Sequence, residues 1–117
     1  MSLATESPIL FRGKVATTTT FYVPVPVRDG TIGAQLGWLD AVSSATFTLE
    51  LSSFEGATKT SAGTAWEWKD SGLTIAGPAA SAAGSTLVNV ENVRQKSARF
   101  KVVTAAVSEF DFRDGTA

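Results

Sequence analysis

The sequence predicts an all-β protein, an antiparallel β-sandwich of jelly-roll or Greek-key type with about seven or eight short strands; a small barrel is the alternative closure. Three observations lead there. Residues 43–54 (SSATFTLELSSF) alternate strictly, with Phe47, Leu49 and Leu51 set against Thr46, Thr48 and Glu50, the pattern of a strand with one face in a core. Residues 97–106 keep the same period, with Ala98, Phe100, Val102 and Thr104 against Arg99, Lys101 and Val103. No window carries an apolar stripe at helical spacing long enough to compete. These two stretches are read as the central strands onto which the rest folds.

Composition narrows the class further. A chain of 117 residues is one domain by size: an N-terminal arm over residues 1–13 and a sandwich over residues 14–117. There is no cysteine and no histidine, which removes disulfides, thiolate metal sites and the commonest general base. A net charge of −1 gives no long-range pull toward nucleic acid or an anionic membrane. The N-terminus places acid before base and has no apolar stretch of signal length, and no run approaches a membrane span. The expectation is a soluble protein made without an export signal of its own.

The elements follow in chain order. Residues 1–13 begin polar and end in Pro8-Ile9-Leu10-Phe11, read either as a short edge strand after a frayed tail or as an arm anchored on a neighbouring subunit by Ile9, Leu10 and Phe11. Residues 15–27 (VATTTTFYVPVPV) are the longest β-prone run. Its threonines suit a half-exposed pleat, and Pro24 and Pro26, lacking an N–H, require it to lie at an edge or leave the sheet by Pro24. Arg28-Asp29-Gly30 is a turn. Residues 31–42 (TIGAQLGWLDAV) fit neither period cleanly once Gly33 and Gly37 are weighed, so an irregular segment is expected, with Trp38 and Leu39 plugging one end of the core. Residues 55–64 are a loop by composition. Two short strands follow, residues 65–69 with Trp66 and Trp68 on one face, and residues 73–76 after the turn Asp70-Ser71-Gly72. Residues 77–85 are small and loop-like. Residues 86–93 alternate at Val88 and Val90, and residues 107–113 close the chain with Phe110 and Phe112 inward and Glu109, Asp111 and Arg113 outward.

A search for reactive groups finds a thin parts list. Without His or Cys, catalysis needs a carboxylate pair, a lysine nucleophile or a serine–lysine couple. Glu109 and Asp111 share a strand face, yet Arg113 follows on that face and is expected to pair with them. No metal, cofactor or phosphate loop is expected, and the chain is read as a non-enzyme. Binding is the stronger theme. Trp66 and Trp68 could stack on sugar rings, against the plainer reading that they belong to the core or a subunit contact. Arg94, Lys96, Arg99 and Lys101 gather around the turn into the second central strand, read first as a solvated face and second as a contact for an acidic partner; nucleic acid ranks last because no aromatics interleave.

The order of segments adds a resemblance. The run AWEWKDSGLTIAGPAASAAG, then a short polar strand, then ARFKVVTAA and a closing aromatic strand, all preceded by SSATFTLELSS, resembles small β-sandwich virion proteins of tailed bacteriophages. Capsid cement, or decoration, proteins are nearest in size, and the likeness covers residues 43–113. It transfers no catalytic residue. It implies a virion component assembled in the bacterial cytoplasm, an oligomer (trimer favoured) and attachment to the major capsid protein or other virion proteins through extended termini and loops. Ile9, Leu10, Phe11, Trp66, Trp68, Arg94 and Arg99 are the candidate contact residues. The alternatives are a tail, neck or minor head component on the same scaffold, and a carbohydrate-binding module using Trp66 and Trp68.

Overall fold

The structure is a computed structural model, and it describes residues 8–15, 19–39, 45–54, 67–77, 83–104 and 108–115. Eight antiparallel strands run through these residues: β1 (Ile9–Val15), β2 (Thr19–Val25), β3 (Ile32–Trp38), β4 (Ala45–Ser52), β5 (Lys69–Gly77), β6 (Gly84–Val90), β7 (Ser97–Thr104) and β8 (Ser108–Asp114). They form two four-stranded sheets, here A in the order β1-β8-β3-β6 and B in the order β2-β7-β4-β5. The pairs are therefore first with last, second with seventh, third with sixth and fourth with fifth. A ribbon folded back on itself once and wound around a single core gives that pairing, which is the jelly roll.

β4 and β7 are the two central strands of sheet B, the place the sequence reading gave them. Their inward residues Phe47, Leu49, Phe100 and Val102 are all buried. From sheet A come Ile32, Leu36, Phe110 and Phe112, also buried. The rings interlock across the sandwich: Phe47 meets Phe110 and Phe112 edge-on at 6.1 and 5.6 Å, within the range where aromatic pairs add to simple burial. Pro24 lies on β2, an edge strand, where a missing N–H costs the ladder nothing.

Several expectations are corrected. Residues 31–42 are not irregular throughout, since β3 occupies the interior of sheet A. Ile32, Ala34, Leu36 and Trp38 point inward and buried, and the glycines sit on the opposite face. At Gly37 a Cβ would lie 2.9 Å from the carbonyl oxygen of Asp111, so glycine is what lets β3 lie against β8 there. Trp38 plugs the core, whereas Leu39 is exposed. Residues 9–13 belong to β1, an edge strand hydrogen-bonded along β8 of the same chain, which fits the edge-strand reading of the N-terminus and not an arm laid on a neighbour. Phe11 packs tilted against Phe21, ring centroids 4.8 Å apart, and seals the side where β1 meets β2. Val15 ends β1 and does not start β2. Of the two short strands expected within residues 65–76, the first is not formed at Glu67 and Trp68, and the second is longer than expected: β5 runs from Lys69 through Asp70-Ser71-Gly72, which is an irregularity inside it. Gly72 has φ of 87° and donates its N–H to Asp70 Oδ1 at 2.7 Å, while the register with β4 slips between Thr48 and Glu50. The loop at residues 55–64 lies outside the described residues, as does most of the loop at residues 77–85.

Arg28-Asp29-Gly30 turns as expected. Asp29 and Gly30 both have positive φ (51° and 73°), and Arg28 and Thr31 exchange both backbone hydrogen bonds at 3.0 and 2.9 Å. This two-residue turn carries the chain from sheet B to sheet A. Arg28 Nη2 then donates to the buried Asp114 carboxylate at 3.1 Å, tying the turn to the end of β8.

Candidate functional site

Because the jelly roll buries one face of each sheet, the residues available for function lie on the two outer faces, at the strand edges and in the opening between β5 and β6. On the outer face of sheet B, Arg99 stands in register with Glu50 on β4 and Pro24 on β2. Strand parity alone aims it at solvent, yet its side chain is only 1 % exposed. Its guanidinium carbon sits 4.0 Å from the centroid of the Tyr22 ring and 4.2 Å from that of Trp68. Nε donates to Glu50 Oε1 at 2.8 Å. The cation is thus pressed between two aromatic faces while a carboxylate meets it in the sheet plane, an arrangement a flat guanidinium can satisfy and an ammonium cannot.

Beside this clamp the chain after β4 folds back over the same face. Phe54 N–H donates to Ser52 Oγ at 3.2 Å, and Ser97 Oγ donates to the Phe54 carbonyl at 3.3 Å. Two serines that would otherwise be buried polar groups are satisfied by holding that turn.

The outer face of sheet A is built differently. Asp111 accepts both Arg113 Nε at 2.6 Å and Nη2 at 2.9 Å, with Arg12 Nη1 a further 3.8 Å from its carboxylate. The Arg113 fork, and secondarily the charges of Arg113 and Arg12, hold the Asp111 carboxyl below its usual range against an opposing push from burial. Gly37 and Ser85 continue that row across β3 and β6, and beside these small residues the pair keeps 18 % and 17 % of its side chains exposed. The neighbouring row runs Ile9, Arg113, Gln35, Leu87, with Ile9 54 % and Leu87 68 % exposed.

Between β5 and β6 the two sheets part, and two adjoining grooves of about 330 and 400 Å³ share Leu51, Ser71 and Gln95. Leu49, Leu51 and Val93 form an aliphatic floor, and Asn89 and Asn92 stand on the rim. Among the described residues, no three His, Cys, Asp or Glu side chains gather as a metal ligand set, and no helix is long and apolar enough to cross a membrane.

The candidate contact residues scatter over this surface. Trp68 and Arg99 come together, but as the buried clamp, so Arg99 is no part of a solvated basic face. Arg94 is exposed on the β6–β7 connection, away from the clamp. Trp68 is 6 % exposed, and a carbohydrate platform made of both tryptophans therefore lacks one of its two rings; Trp66 lies outside the described residues. Of the supposed anchor, only Ile9 faces solvent, while Leu10 and Phe11 pack against the core. The sequence does not show Tyr22 and Glu50 as partners of Arg99, although the alternation of residues 15–27 sets Tyr22 on the face opposite Phe21, Val23 and Val25. Nor does it single out Leu87, whose place opposite Val88 in an alternating strand is the available signal.

Compared with known proteins, the chain matches no family model, no curated protein and no solved structure.

Proposed function

We propose that this protein works by docking and not by reaction, as a bacteriophage virion structural protein of the capsid cement or decoration type that binds the outer head surface as an oligomer and stabilises it. One observation carries the docking half of this reading. Charged side chains that meet in the described residues do so as opposed pairs, Arg99 with Glu50, Arg113 with Asp111 and Arg28 with Asp114. Beside these pairs, large apolar side chains stand exposed around the sandwich, among them Ile9, Leu39, Leu73, Leu87 and Val103. Ionisable groups tied up in pairs make poor acids, bases and nucleophiles, whereas exposed apolar side chains gain from being covered. The virion half rests on the resemblance in segment order over residues 43–113, and the jelly roll is a fold that viral capsid domains use, along with lectins and cupins.

Immunogold labelling of tailed phage particles with antibody raised to the purified chain tests the reading. Regular label over the head is the expected result, and head particles lacking the chain are expected to rupture at lower temperature. Label confined to tail or neck selects the related role on the same scaffold, and unlabelled particles overturn the assignment.

A further inference from the structure

A two-sheet sandwich has four strand edges, and each offers unpaired N–H and C=O groups to any passing strand. Three of the four are guarded here. β1 follows Pro8, breaks register between Ile9 and Phe11 and carries Arg12 and Lys14. β2 has Pro24 one residue before its end and Pro26 just beyond. β5 opens with Lys69 and Asp70 and is distorted at Gly72. Such charges, prolines and bulges are the usual means of blocking edge pairing.

β6 has none of them. Its sequence GSTLVNV contains no charge and no proline, and it pairs with β3 in unbroken register from Gly84 to Val90. Among the described residues nothing but β3 pairs with it. Midway along it stands Leu87, 68 % exposed and the most exposed large hydrophobic side chain among the described residues.

The backbone phase of that edge follows from two hydrogen bonds. Leu39 N–H donates to Glu109 O, and Gly115 N–H donates to Gly33 O, both at 2.8 Å. Odd-numbered residues of β3 therefore turn their N–H and C=O toward β8, and even-numbered ones toward β6. Through the register Ile32↔Val90 to Trp38↔Gly84, the even residues of β6 are bonded to β3. Ser85, Leu87 and Asn89 present theirs to the open edge.

We infer that the β6 edge is an interface with a second copy of this chain, the two β6 strands pairing antiparallel about a twofold axis at Leu87. The commitment to a second copy comes from self-complementarity. With Leu87 facing the partner copy's Leu87, each Ser85 faces an Asn89, so apolar meets apolar, polar meets polar, and no charges collide. The same centring brings all the free backbone groups of Ser85, Leu87 and Asn89 into bonding phase. Sheet A then continues across the axis, and the exposed Leu87 side chains are covered. This contact joins two copies. A trimer would need β6 to pair with one of the guarded edges. The inference rests on edge chemistry alone and stands apart from the virion reading.

Sedimentation velocity across a concentration series, with Leu87→Lys and single cysteine substitutions in a chain that has none of its own, tests it. The unmodified chain is expected to shift from monomer to dimer, and Leu87→Lys to stay monomeric while unfolding at nearly the same temperature. On oxidation, Leu87→Cys is expected to give a disulfide-linked dimer, since directly paired residues lie about 5.5 Å apart at Cα. Ser85→Cys alone is expected to give none, and Ser85→Cys mixed with Asn89→Cys to give a mixed one. A chain that stays monomeric up to about 1 mM, the weak end of specific association, overturns the inference. So does a trimer, a dimer undiminished by Leu87→Lys, or cross-linking of Ser85→Cys with itself in place of Leu87→Cys.

Discussion

Each outer face of this sandwich carries an arginine paired with a carboxylate, yet the two pairs live in different surroundings. Arg113 and Asp111 share one strand, form a two-pronged contact and keep nearly a fifth of each side chain exposed. Arg99 reaches across strands to Glu50 and has no exposure to speak of, because Tyr22 and Trp68 close over it. The neighbours decide the difference. On sheet A the adjacent positions are Gly37 and Ser85 and leave part of both side chains to water; on sheet B aromatic rings leave Arg99 almost none. Charge pairing at an open surface contributes little, since water screens it. Under a cover, the same pairing becomes a structural joint whose loss strands a charge.

The largest test of that contrast is Arg99→Ala against Arg113→Ala. Removing Arg99 leaves Glu50, only 15 % exposed, without its partner and Trp68 without its platform, at an expected cost of about 3 kcal/mol, on the order of 10 °C in Tm. Arg113→Ala is expected to cost under about 1 kcal/mol. Equal losses in denaturant unfolding of the two variants would erase the distinction drawn here.

Gly37→Ala probes the face of sheet A. The added methyl meets a backbone oxygen, so β3 and β8 must separate, at an expected cost of about 2 kcal/mol. A neutral effect on the thermal midpoint would mean the strands do not lie so close.

Trp68→Leu keeps apolar cover but removes the ring, which is expected to cost about 1 kcal/mol through the lost cation–π contact. The loss should shrink in an Arg99→Met background, and a double-mutant cycle that returns no coupling would break the clamp into unrelated contacts.

The smallest effect is one of pH. Because Asp111 titrates lower in the folded chain than in the unfolded one, its contribution is complete above the unfolded carboxyl value of about 3.9 and fades as pH falls through the lower folded value. Asp111→Asn should therefore lower stability slightly at neutral pH and flatten the acid limb. An acid limb unchanged by the substitution would show that the Arg113 fork does not form in solution.

How much of this was legible in the chain varies by strand. β4, β7 and β8 announce themselves because Phe47, Leu49, Phe100, Val102, Phe110 and Phe112 fall at every second position, and Arg113 was placed with Asp111 by the same count. Pro24 correctly marked an edge. β3 went unread although Ile32, Ala34, Leu36 and Trp38 alternate just as cleanly, because Gly33 and Gly37 were weighed as strand breakers. Their role is close backbone approach, which exists only once β8 lies alongside. β5 was read only from residue 73, after Asp70-Ser71-Gly72, a turn by composition that the ladder to β4 absorbs as a bulge.

Which side chains of a strand face inward is written locally, since the period of a strand is a local property, and the all-β class follows from it. Tertiary structure alone decided the fate of the outward ones. Arg99 and Leu87 are both outward by parity, but one is sealed by Tyr22 and Trp68 from distant parts of the chain, and the other stands on an edge that among the described residues only β3 borders. Burial on an outer face depends on what long-range folding lays over it, and no local pattern encodes that.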